Sequence, residues 1–115
     1  MKKVVLLGGK ERELRFGIGF LGAFLEETNL EISQIDEKLK QNPFTYVPKM
    51  MFNSLKFAEK RKGNEIDFTE SDVIDWVDEA GGLESEPVKS FFLGFAESMQ
   101  TKLPEAKGKQ NQPKK

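Results

Sequence analysis

The first sixteen positions hold an apolar run, VVLL, and a stretch alternating charged and apolar residues, ERELRF, and from there the apolar spacing becomes helical. Residues 2–7, KKVVLL, and 11–16, ERELRF, read as two strands around GGKE. Val5 and Leu7 share one face of the first strand, Leu14 and Phe16 one face of the second. A loop through Gly8-Gly9-Lys10-Glu11 would pair Leu7 with Arg12 and Val5 with Leu14, keeping these side chains together. Glycines at the turn supply the positive φ it needs. An isolated hairpin is marginal in water, so helices are expected to cover its apolar face.

The helical remainder divides at its own punctuation. Ile18, Leu21 and Leu25 fall on one line with Phe20 and Phe24 beside it, predicting a helix to about Glu27 with Asn29 as its stop. Ser33 is the expected cap of a short helix through about Lys40, carrying Ile35 and Leu39 inward. Asn42-Pro43 resets the chain, and Pro48 is placed in the first turn of the next helix, 44–62. There Val47, Met51, Leu55 and Ala58 form one stripe, Tyr46, Met50 and Phe57 a second, and Phe44 and Phe52 widen the surface. Thr69 caps the following helix with Asp72 as its capping-box partner. Val73, Trp76, Val77 and Ala80 point inward before Gly81-Gly82. Pro87 opens the last helix, with Val88, Phe91, Phe92, Phe95 and Met99 on one broad face. The fold class is α+β, mostly α: an N-terminal hairpin and four or five short helices in one domain, 1–103. A basic tail, 104–115, has too little apolar content to fold.

Composition narrows the chemistry. Cysteine and histidine are both absent from the 115 residues, which removes thiol chemistry, disulfides, most zinc sites and the usual near-neutral base. A non-enzymatic protein without cofactor or metal is expected. Asp72, Asp75 and Asp78, with Glu70 and Glu79, make an acidic helix face, but no glycine-bearing ligand loop accompanies them and a solvated face explains them. No apolar run approaches the roughly 20 residues that span a bilayer, and the four apolar residues before Gly8 are too few for an export signal. The net charge of −1 hides an asymmetry: residues 102–115 carry +4 and residues 1–101 carry −5.

Gly17, Gly19 and Gly22 match the G-x-G-x-x-G spacing of a dinucleotide-binding turn. Such a turn needs a buried parallel strand before it and another after its helix. ERELRF alternates charged and apolar residues as a half-exposed strand does, and beyond LEISQID nothing alternates or clusters as a strand. The three glycines are therefore expected to form a strand-to-helix corner and to let the helix pack closely on the hairpin.

The segment GKERELRFGIGFL, residues 9–21, resembles the opening of phage tail assembly chaperones of siphophages infecting Gram-positive hosts and of related prophages. The likeness is carried by Gly9, Lys10, Glu11, Leu14, Arg15, Phe16, Gly17, Gly19, Phe20 and Leu21. Chain length, the helical remainder and the closing helix VKSFFLGFAESM extend it over roughly 3–100, with residues 30–68 similar in helical character alone. The resemblance implies a protein that coats the tape measure protein during tail building in the bacterial cytoplasm and is absent from the finished virion. It also implies a longer frameshifted form that recruits tail tube protein. Self-association is expected, and neither a membrane nor a nucleic acid is an expected partner.

Met and Phe surfaces adapt to varied helical partners, which makes Phe91, Phe92, Phe95, Met99, Met50 and Met51 the candidate partner-binding residues. The same periodicity also fits ordinary core positions. Lys114-Lys115, encoded by A-rich codons, is a sensible place for a frameshift. The alternative reading is a small nucleic-acid-binding protein that uses its basic tail and Lys60-Arg61-Lys62 on phosphates.

Overall fold

The computed structural model describes residues 2–102. The expected basic tail and the Lys114-Lys115 position lie outside the described residues. Two antiparallel strands, β1 (Lys2–Leu7) and β2 (Lys10–Arg15), form the hairpin. Five helices follow: α1 (Ile18–Thr28), α2 (Ile35–Gln41), α3 (Pro43–Arg61), α4 (Glu70–Ala80) and α5 (Glu86–Lys102). The α+β, mostly helical class expected from the sequence is the class observed.

The hairpin register is tighter than expected. Leu7 pairs with Lys10, Val5 with Arg12 and Lys3 with Leu14, closing on a two-residue turn. Gly8 and Gly9 both have positive φ, 62° and 82°, the combination whose twist matches that of the flanking strands. The offset from the expected register is two residues, so the inward-facing set survives. Val5, Leu7, Leu14 and Phe16 are all buried.

At Gly17 the backbone takes φ 136° and ψ −172°, a conformation closed to L side chains, and α1 starts at the next residue. This is the predicted corner. Phe20 and Phe24 turn inward from α1, and Asn29 ends it in the left-handed conformation with φ 61°.

Two local expectations fail. Ser33 caps nothing: a 3₁₀ turn, Ile32–Gln34, intervenes, and Gln34 Oε1 accepts from the Glu31 N–H at 2.9 Å before α2 begins. Pro48 does not open α3 either, because Pro43 already occupies its first turn. Pro48 sits buried within the helix, where its missing N–H leaves the Phe44 carbonyl without the usual partner four residues on. That carbonyl belongs to the exposed end of the helix, where water can reach it.

The long α3 is the central element, packing on β2, α1, α2 and α4. Its stripe of Val47, Met51, Leu55 and Ala58 is buried throughout, as the spacing predicts. The fully buried Ser54 hydroxyl donates to the Arg15 carbonyl at 2.9 Å and ties α3 to the end of β2. Lys49 lies between Glu70 and Glu27, 3.2 and 3.5 Å away, which links α3 to α4 and α1. Burial works against its charge, but Glu70 and then Glu27 hold the ammonium strongly enough to raise its pKa above the ordinary lysine value.

α4 starts with the predicted capping box. The Asp72 N–H donates to Thr69 Oγ1 at 3.2 Å, and the Thr69 N–H donates to Asp72 Oδ2 at 2.9 Å. Val73 and Val77 are buried from this helix and Trp76 is half-buried, whereas Ala80 is exposed rather than inward.

Two aromatic groups complete the interior. Phe16, Phe20, Phe91 and Phe95 meet with ring centroids 5.5–6.4 Å apart, joining the hairpin, α1 and α5. Phe52, Phe68 and Trp76 form the second, and the Arg12 guanidinium lies 3.9 Å over the Trp76 ring.

Candidate partner-binding surface

The residues singled out from the sequence divide by depth. Met50, Met51 and Phe91 are 0% exposed, so they are core and not a docking surface. The reason is that α3 is packed by β2, α1, α2 and α4 together, and α5 lies on β1 with Phe91 against Phe16 and Phe20. Phe92, Phe95 and Met99 are half-buried. Phe95 stacks on Phe91 at 6.0 Å and meets Phe20 edge-on at 6.2 Å, while Phe92 lies 5.3 Å from Phe91. These three edges of the core reach the surface without dominating it.

The glycines of the corner also separate. A Cβ built on Gly19 would fall 2.6 Å from the Phe57 ring, so this residue permits the close approach of α1 to α3. Gly22 is exposed, and among the described residues nothing lies within 4 Å of its built Cβ. It serves neither corner nor packing.

The most exposed large apolar side chains are others: Phe44 is 79% exposed, Ile18 74%, Leu6 65%, Val4 60%, Leu93 55% and Ile74 45%. Four of these, Phe44, Leu6, Val4 and Ile74, border two clefts. One lies at the outer face of the hairpin, where Val4 and Leu6 border a space of about 400 Å³ completed by Ala80, Glu86, Pro87 and Ser90. The other is a groove between the start of α3 and α4, lined by Phe44, Pro48, Ile74, Val77 and Leu83. The first patch had a signal in the sequence, since KKVVLL is apolar in both phases of the strand period and a strand covered on one side needs only one. Phe44 was visible as part of a wide apolar arc, but nothing in the spacing placed it at the exposed start of its helix.

Charge is organised on the same body. Lys62, from the basic run at the end of α3, pairs with Glu13 at 3.4 Å and Glu59 at 3.6 Å. Among the described residues no group of three or more potential ligands is arranged to hold a metal ion. Asp72 is occupied by the cap of α4. No described helix is long and apolar enough to cross a membrane. The chain matches no protein-family model, no curated protein sequence and no solved structure. What the arrangement offers is two exposed apolar patches on a small scaffold, with charge pairs linking α3 to β2, α1 and α4.

Proposed function

We propose that this chain is a phage tail assembly chaperone that binds the tape measure protein through apolar surface patches and keeps it soluble during tail morphogenesis. The observation that carries the reading is the segment of residues 9–21, whose Gly-Lys-Glu turn and Arg-Phe-Gly-Ile-Gly-Phe-Leu junction resemble that family. In this fold Gly9 is the second residue of the hairpin turn, Lys10 and Glu11 begin β2, Gly17 makes the corner, and Phe16 meets Phe20 at 5.8 Å. Motif and architecture are therefore consistent with one another.

The physics of the surface suits the task. A tape measure protein presents long apolar helices that aggregate unless covered. Val4, Leu6, Phe44 and Ile74 supply apolar contact, while the acidic body keeps a coated assembly in solution. A longer frameshifted form, recruitment of tail tube protein, self-association, and action in the host cytoplasm without retention in the virion belong to the same proposal.

The test is co-expression with the tape measure protein encoded in the same genome, followed by affinity purification and sizing. The expected result is a soluble tape measure protein that co-purifies with this chain. A tape measure protein that stays insoluble and never co-purifies overturns the reading. Salt-sensitive binding to duplex or single-stranded nucleic acid would then favour the alternative.

A further inference from the structure

The groove between α3 and α4 is the smaller of the two clefts and has an acidic residue at its edge. Its floor is Pro48 and Val77, its walls are Phe44, Ile74 and Leu83, and Asp78 stands at the rim. The cavity is about 170 Å³, below the roughly 300 Å³ at which small-molecule sites begin. A space of this size takes one or two apolar side chains of a docked helix.

The rim specifies the sign of that helix. Residues 63–88 contain nine acidic side chains and no basic one. Asp78 lines the groove, Asp75 is one turn before it on α4 and Glu84 follows the lining residue Leu83; all three are exposed, and among the described residues none makes an ion pair. No lysine or arginine among the described residues lines the groove, and Lys49, next to Pro48 on α3, is paired with Glu27 and Glu70. On α4, Ile74 and Asp78 stand four positions apart, as do Asp75 and Glu79, so apolar contact and negative charge fall within one helical turn. A neutral apolar helix would gain contact alone. An anionic one would meet repulsion at every turn of α4, and a cationic one gains both attraction and faster encounter.

We propose that this groove seats an amphipathic helix whose apolar side chains are flanked by lysine or arginine. Phe44, Ile74 and Leu83 grip the apolar stripe, and Asp75, Asp78 and Glu84 receive the cations. Resting on the function proposed above, the occupant is a cationic amphipathic segment of the tape measure protein.

The experiment titrates the full chain into two labelled synthetic peptides of about 18 residues, or five helical turns, read by fluorescence anisotropy. Both carry leucine at i, i+3, i+4 and i+7; one has lysine at the flanking positions and the other glutamate. The lysine peptide is expected to bind at least about ten-fold more tightly, with the preference shrinking as salt rises. Phe44→Ser is expected to weaken its binding by at least about ten-fold without lowering the thermal midpoint, because Phe44 is 79% exposed. The charge reversal Asp78→Lys with Glu84→Lys is expected to abolish the preference. The hairpin variant Val4→Thr with Leu6→Thr is expected to bind as the parent does.

Equal binding of the two peptides overturns the proposal, as does full binding by Phe44→Ser or equal loss in the hairpin variant. The chaperone reading fails separately. If Phe44→Ser still solubilises the tape measure protein as the parent does, the groove is wrong and the function stands. If the tape measure protein is never solubilised while the lysine peptide binds as described, the groove stands and its cationic partner is another helix.

Discussion

Two helical glycines sit in opposite surroundings, and replacing each with alanine should move stability in opposite directions. Alanine is favoured over glycine inside a helix by about 1 kcal/mol, whatever surrounds it. At Gly22 a Cβ meets no described residue within 4 Å, so Gly22→Ala should keep most of that gain. At Gly94 the same atom would lie 2.5 Å from Phe16 Cε2, 2.8 Å from Phe16 Cζ and 3.0 Å from Lys3 Cγ. Phe16 is 3% exposed and held between Phe20 and Phe91, with centroids 5.8 and 5.5 Å away, so its ring has nowhere to retreat. Overpacking of a filled core costs about 1–3 kcal/mol, which outweighs the propensity gain and leaves a net loss of about 1 kcal/mol. In a domain of this size 1 kcal/mol moves the thermal midpoint by about 4–8 °C. Far-UV circular dichroism melts should therefore show Gly22→Ala several degrees above the parent and Gly94→Ala several degrees below. Gly19→Ala should fall between them, because its obstacle is the half-exposed Phe57 ring, which can swing aside. If Gly94→Ala rises as far as Gly22→Ala, then α5 does not press on the hairpin as closely as described, and the account of the core is wrong.

Arg12→Ala removes the guanidinium stacked 3.9 Å over Trp76 and the Nε–H bond to the Leu7 carbonyl at 2.8 Å, and should cost about 1–2 kcal/mol. Trp76 is the sole tryptophan, so its emission should shift to the red on the loss of cover, and an unchanged spectrum and urea midpoint would contradict the stack. The raised pKa of Lys49 means that its contribution is fully present below the ordinary lysine pKa and is lost as pH climbs through the higher folded value. Urea midpoints followed from about pH 8 to about pH 11 should fall for the parent and fall less for Lys49→Met; parallel curves would remove Lys49 as the source.

The elements were legible because their signals are local. Positive φ at Gly8 and Gly9, the Thr69–Asp72 cap and the left-handed Asn29 depend on neighbours within a few residues, and all are where those residues imply. The turn was misjudged by length alone, and period two protected the consequence: a slip of two residues leaves Val5, Leu7, Leu14 and Phe16 facing inward. Pro48 was misread because two prolines compete for one helix start and only Pro43 can be first. The G-x-G-x-x-G spacing dissolves on the same terms. Gly17 is required by its backbone, Gly19 by the Phe57 ring, and Gly22 by neither.

The docking surface was not legible, since periodicity assigns a residue to a face without saying what covers that face. The apolar arcs of α3 and α5 look too broad for a small interior, yet β2, α1, α2 and α4 surround the first and β1 lies on the second, so Met50, Met51 and Phe91 are fully buried. Apolar exposure falls at helix starts, Ile18 on α1 and Phe44 on α3, on the second face of β1 with Val4 and Leu6, and on the outer side of α5 with Leu93. The acidic face of α4, Glu70, Asp72, Asp75, Asp78 and Glu79, is visible in the sequence, where solvation explains it. The fold adds that Asp78, on this face, borders an apolar groove. The charge selection proposed for this groove rests on Asp78, which the spacing of three already groups with Asp72 and Asp75. Its apolar contact rests on Phe44, which the helical spacing places on the broad arc of its helix; what the fold adds is their meeting at one cleft.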